Sequence, residues 1–98
     1  VLDGCAIDFS RAEIHKSGEI ISLTAKEHTL LETLARNEGK IVTVDALCEA
    51  LWGDNPFGYE NSLNAHVRRV REKIETNPSN PKSLITIKGL GYKLIIRK

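Results

Sequence analysis

The spacing of apolar residues along the chain changes character at residue 24. Before it, apolar positions come in short extended runs. Cys5-Ala6-Ile7-Asp8-Phe9 mixes apolar and polar residues like a half-buried strand. Ala12-Glu13-Ile14-His15-Lys16 and Glu19-Ile20-Ile21-Ser22-Leu23 flank the tight-turn dipeptide Ser17-Gly18, which predicts an antiparallel hairpin in a small N-terminal sheet. From residue 24 the period is helical. Thr24-Ala25-Lys26-Glu27 has the form of a capping box, and Leu30, Leu31, Leu34 and Ala35 follow on one face. Asn37-Glu38-Gly39 closes that helix. Ile41-Val42 is a short extended piece. Thr43 then caps a second helix with apolar positions Val44, Leu47, Cys48 and Leu51, which makes Cys48 a small core residue rather than a nucleophile.

Residues 52–59, with two Gly and one Pro, predict a loop. Trp52 reads as a plug at the core edge. For Phe57 the core and a partner surface are equal readings. Residues 60–76 carry the strongest helical pattern, with Leu63, Val67, Val70 and Ile74 on one narrow stripe, and Asn77-Pro78 ends it. Leu84-Ile85-Thr86-Ile87 and Tyr92-Lys93-Leu94-Ile95-Ile96 bracket Lys88-Gly89-Leu90-Gly91, a hairpin with a cation at its thin tip. The order is sheet, helix, helix, loop, helix, hairpin: an α+β chain.

The third helix carries the candidate chemistry. With Leu63 set at zero and 100° per residue, the stripe falls within about 40°. Asn61, Ala65, Arg68 and Glu72 lie opposite, Ser62 and Arg69 on one flank, Asn64 and Arg71 on the other. Arg forks to guanine, Asn to adenine, and Ala permits close approach in a major groove. A plain solvated face is the competing reading, but such faces usually mix signs, as Lys26, Glu27, Glu32 and Arg36 do in the first helix. Clustered Arg68, Arg69 and Arg71 favour groove recognition. Glu72 counts against it. His66 reads as packing beside the stripe, with a phosphate hydrogen bond as the second reading. Thr86, Lys88 and Tyr92 of the hairpin would add a contact at a minor groove or at phosphates.

Charge sharpens this picture only when the chain is divided. The 98 residues carry a net +1. Residues 1–58 hold five basic and ten acidic residues, a balance of −5; residues 59–98 hold nine and three, a balance of +6. The length suits one domain. No apolar run reaches the roughly 18 residues of a membrane span, and two cysteines make no disulfide framework, which favours a reducing compartment. The three His and two Cys show no metal-ligand spacing, and there is no Ser-His-Asp, P-loop or Cys-x-x-Cys pattern, so an enzyme is not expected, nor a cofactor. The chain begins at Val1 and has no Met, so it reads as one domain, 1–98, of a longer protein.

Four stretches jointly resemble the effector domain of bacterial OmpR/PhoB-family response regulators: Leu23-Thr24-Ala25-Lys26-Glu27 with Leu30, Leu31 and Leu34; Val44 and Leu47 through Leu51-Trp52-Gly53; Asn61 through Ile74; and Ile85 through Leu94. The resemblance covers residues 5–97. It implies a winged helix-turn-helix: a four-stranded N-terminal antiparallel sheet, three helices and a C-terminal β-hairpin wing. It also implies cytoplasmic, sequence-specific binding of double-stranded promoter DNA at tandem half-sites, as a homodimer. A receiver domain upstream, phosphorylated through a sensor histidine kinase, would control that dimerisation. Loop 52–59 would be the part that meets RNA polymerase. DNA contacts would fall on Asn61, Ser62, Ala65, His66, Arg68, Arg69 and Arg71, on Thr86, Lys88 and Tyr92, and on Trp52 at the phosphate side. Many members of the family carry Arg where this chain has Asn61, and Lys or Arg where it has Glu72. A different class of function, a winged helix used as a protein-interaction module, predicts that the basic helix meets an acidic protein and that duplex DNA does not compete.

Overall fold

A computed structural model describes residues 5–53 and 58–96. Strands β1 (Cys5–Asp8), β2 (Glu13–Lys16) and β3 (Glu19–Ser22) form an antiparallel sheet in the order β1-β2-β3. Ser17 and Gly18 both adopt positive φ, 53° and 79°, the turn that matches the twist of a two-residue hairpin. The sheet has three strands among the described residues, where the resemblance implied four. Residues 1–4 lie outside the description.

Helix α1 (Ala25–Arg36) starts as its sequence predicts. The Glu27 amide donates to Thr24 Oγ1 at 3.2 Å, and Glu27 Oε1 accepts from the Thr24 amide at 2.8 Å. Helix α2 (Val44–Trp52) is capped by the Thr43 hydroxyl. Helix α3 (Glu60–Ile74) follows, then β5 (Leu84–Ile87) and β6 (Gly91–Leu94). The hairpin is larger than its own two strands, because β4 (Val42–Thr43) joins it in the order β4-β6-β5. This answers the short extended piece at Ile41-Val42. Gly91 permits the pairing, since a Cβ there would lie 2.1 Å from the Val42 carbonyl oxygen and 2.8 Å from Thr43 Cα.

One core joins the layers. Ile14 from the first sheet, Leu30, Leu31 and Leu34 from α1, Leu47 from α2, the stripe of α3, and Leu84 and Leu94 from the wing are all buried. Helix α3 ends at Ile74, two residues short of the expected 76. Glu75 turns extended and buries its carboxylate, which accepts from the amides of Lys82, Ser83 and Leu84. That buried acceptor folds the 76–83 segment back and delivers the chain to β5. Lys16 Nζ donates to the Glu75 carbonyl at 2.8 Å and Cys5 Sγ to the Ile74 carbonyl at 3.4 Å, so the N-terminal sheet docks on the C-terminal end of α3.

Candidate nucleic-acid interface

Helix α3 is fixed by its stripe: Leu63, Val67, Val70 and Ile74 are all buried. The opposite face is open. Asn61, Ser62, Arg68, Arg69 and Glu72 are exposed and Ala65 is half-buried. Among the described residues, no ion pair or side-chain hydrogen bond engages Arg68, Arg69 or Lys88, so three cations are presented uncommitted. Tyr59, at the start of the helix, provides no side-chain cap. The leading amides are thereby left for an anion.

The two flanks of α3 are less open than the helical wheel implies. Asn64 and Arg71 face the wing. Tyr92 is buried, and its hydroxyl donates to Asn64 Oδ1 at 2.8 Å. Burial pushes this hydroxyl above its ordinary pKa; the Arg71 charge offsets part of the rise and Cys48 adds to it, so Tyr92 remains a donor. Arg71 donates from Nε and Nη2 to the Leu84 carbonyl at 3.1 and 2.9 Å, and from Nη2 to Thr86 Oγ1 at 2.6 Å. Its guanidinium lies 6.0 Å from the centre of the Tyr92 ring. Of the residues read from sequence as DNA contacts, Asn64, Arg71, Thr86 and Tyr92 are thus brought together and bound to one another.

On the other flank His66 meets the loop. Its Nδ1 lies 2.7 Å from the Ser62 carbonyl, an acceptor, so Nδ1 carries the proton. The ring stands edge-on to Trp52 at 5.6 Å. Trp52 is half-buried and stacks on Tyr59 at 4.7 Å, with Lys26 Nζ 5.3 Å from its ring centre. Trp52 packs against the edge of the core, as the sequence reading of a plug there expected. His66 packs as expected, although against Trp52. Asp54, Asn55, Pro56 and Phe57, and with them the surface considered for polymerase, lie outside the described residues. Lys88 and Thr86 are exposed in the wing, as is Leu90 at its tip.

Sequence reasoning missed Lys26 and Glu75. Lys26 donates to the Leu51 carbonyl at 2.6 Å, closing the end of α2 beneath Trp52. Nothing local marks either residue, because each acts on a segment distant in sequence. Cys48 is buried, and burial together with the Glu60 and Asp45 charges pushes its thiol up, which keeps it protonated and inert.

The family model described as "Transcriptional regulatory protein, C terminal" matches residues 18–94. This chain belongs to that family. Sensory transduction protein RegX3 of Mycobacterium tuberculosis is 43% identical over 88 residues, 90% of this chain and 39% of that protein. DNA-binding response regulator MtrA of Mycolicibacterium smegmatis is 40% identical over 87 residues, 89% of this chain and 38% of that protein. The chain therefore spans about two-fifths of the length of these relatives. Among solved structures, response regulator DrrB of Thermotoga maritima, an OmpR/PhoB homologue, superposes with a TM-score of 0.81 at 32% identity, over 97% of this chain and 43% of that one. The Klebsiella pneumoniae RstA DNA-binding domain, solved in complex with the RstA box, gives 0.80 at 26% identity, over 97% and 94%. The chain is an OmpR/PhoB-family effector domain with a winged-helix fold, and the family regulates transcription rather than catalysing a reaction. No helix among the described residues is long and apolar enough to cross a membrane.

Proposed function

We propose that this effector domain binds duplex promoter DNA sequence-specifically, with α3 in the major groove and the wing on the adjacent backbone or minor groove. The observation that carries this reading is the open face of α3, on which Arg68 and Arg69 are exposed and unpaired beside Asn61, Ser62 and Ala65. These five residues reach the bases or the nearest phosphates. Arg supplies a two-pronged donor for guanine, and Ala65 lets the helix approach. Lys88 and Thr86 meet phosphate from the wing. Trp52 and His66 sit at the phosphate side of the helix start. Asn64, Arg71 and Tyr92 hold the surface in shape.

By likeness to the response regulators, the domain acts in the cytoplasm as one half of a homodimer on tandem half-sites. It follows a receiver domain that a sensor histidine kinase phosphorylates. The segment between α2 and α3 is the part offered to RNA polymerase. Selection of bound duplexes from a random pool, repeated at two salt concentrations, tests the reading. A recurring motif whose enrichment persists as salt rises is expected. A pool that stays random, or binding that ignores salt, would overturn it.

A further inference from the structure

Two of the ties between wing and helix, both made by side chains alone, land on a single rung of the wing. Thr86 and Tyr92 are cross-strand partners in the β5–β6 ladder. Arg71 holds Thr86, and Asn64 holds Tyr92. Asn64 and Arg71 stand two turns apart on α3, roughly 10 Å along its axis. One rung is therefore clamped at two separated points, which fixes the hairpin's direction as well as its distance. Lys88 is two residues beyond Thr86, in the turn that follows β5, so its place relative to Arg68 depends on this clamp. Arg71 also determines what Thr86 can do. The Thr86 oxygen accepts the guanidinium N–H, leaving its own O–H as the group free to donate.

We infer that Arg71 is a positioning residue for the wing: it acts on DNA through Thr86 and Lys88 rather than by touching the duplex. Three bonds, two to a backbone carbonyl and one to the hydroxyl, commit the two-pronged Nε–Nη2 edge of the guanidinium within the protein. Nε and Nη2 grip the Leu84 carbonyl as a planar fork while Nη2 also reaches Thr86, and a lysine ammonium has no such fork to hold that geometry. The ligand that benefits is a phosphodiester oxygen, met by the Thr86 hydroxyl and the Lys88 ammonium. This inference rests on the proposed DNA-binding reading and deepens it.

The test is a double-mutant cycle on the selected duplex, with affinity measured by anisotropy over a range of salt. Lys88→Ala should lower the salt slope by about 0.9, the value for one phosphate. Arg71→Ala should lower it by the same amount, because the wing cation is no longer placed. The double variant should match either single one. Arg71→Lys, which keeps the charge, should bind as weakly as Arg71→Ala. Thr86→Val, nearly isosteric, should also weaken binding at an unchanged melting temperature, and it covers the case in which Arg71→Ala folds poorly. The base preference read by α3 should persist in all of them. Slopes that add in the double variant, rescue by Arg71→Lys, or a Thr86→Val protein that binds as the parent does would each overturn the inference. Absence of salt-dependent binding by the parent domain would instead overturn the function on which it rests.

Discussion

Lys73 Nζ sits 2.5 Å from Glu27 Oε1, an ion pair that ties α3 to the capping box of α1. Glu27 is buried, and the same oxygen accepts from the Thr24 amide; Lys73 also donates to the Ser22 carbonyl. One pair thus joins the first sheet, α1 and α3 just behind the proposed interface. A buried carboxylate is costly when its partner is removed.

Lys73→Met should therefore destabilise the domain by about 3 kcal/mol, and adding Glu27→Gln should recover part of that loss. Urea denaturation measures both. A loss under about 1 kcal/mol, the worth of a surface pair, would make the contact incidental.

The same pair sets a pH dependence. Burial raises the Glu27 pKa, but the Lys73 hydrogen bond, the Thr24 amide, the Lys73 charge and the Thr24 hydroxyl together outweigh it, and the net direction is down. A carboxyl held below its unfolded value, about 4.3, stabilises the fold fully above that pH. The contribution fades as pH falls through the lower folded value. The parent domain should lose stability on acidification below about pH 4, and the Glu27→Gln variant should lose less over the same interval. Parallel pH–stability curves for the two proteins would refute the assignment.

Arg68→Ala should weaken the selected duplex by about 1–3 kcal/mol and relax preference at one base position. Arg69→Ala, on the flank shared with Ser62, is the comparison. Uniform weakening by Arg68→Ala across sequences would place Arg68 on phosphate instead of a base.

Gly91→Ala tests how the wing is held from the side opposite Arg71. The new methyl would meet the Val42 carbonyl and the Thr43 backbone, neither of which is a flexible side-chain end. The β4–β6 pairing should separate, at a cost of at least about 2 kcal/mol. Amide exchange at Thr43 and Gly91 should quicken before that of α1. Retained protection at both positions would show that the backbone shifts to make room.

Local pattern made the elements legible. The Thr24-to-Glu27 box, the Ser17-Gly18 turn and the four-residue stripe of α3 each act within a few residues, so the chain itself states them. The open face of α3 followed from the stripe, because a helix that buries Leu63, Val67, Val70 and Ile74 must turn Arg68 outward. Three things waited for the tertiary structure. The recruitment of Val42-Thr43 into the wing depends on pairing between segments far apart in sequence. The end of α3 depends on amides seven to nine residues beyond Glu75.

The division of labour among the basic residues was the third. Arg68 and Arg71 are the same residue type one turn apart, and a helical wheel offers both to solvent. Only the arrival of β5 beside α3 distinguishes them, by presenting the Leu84 carbonyl and the Thr86 hydroxyl to one guanidinium and nothing to the other. Periodicity fixes which way a side chain leaves its helix. What it meets there is decided by the packing of segments that the sequence keeps apart.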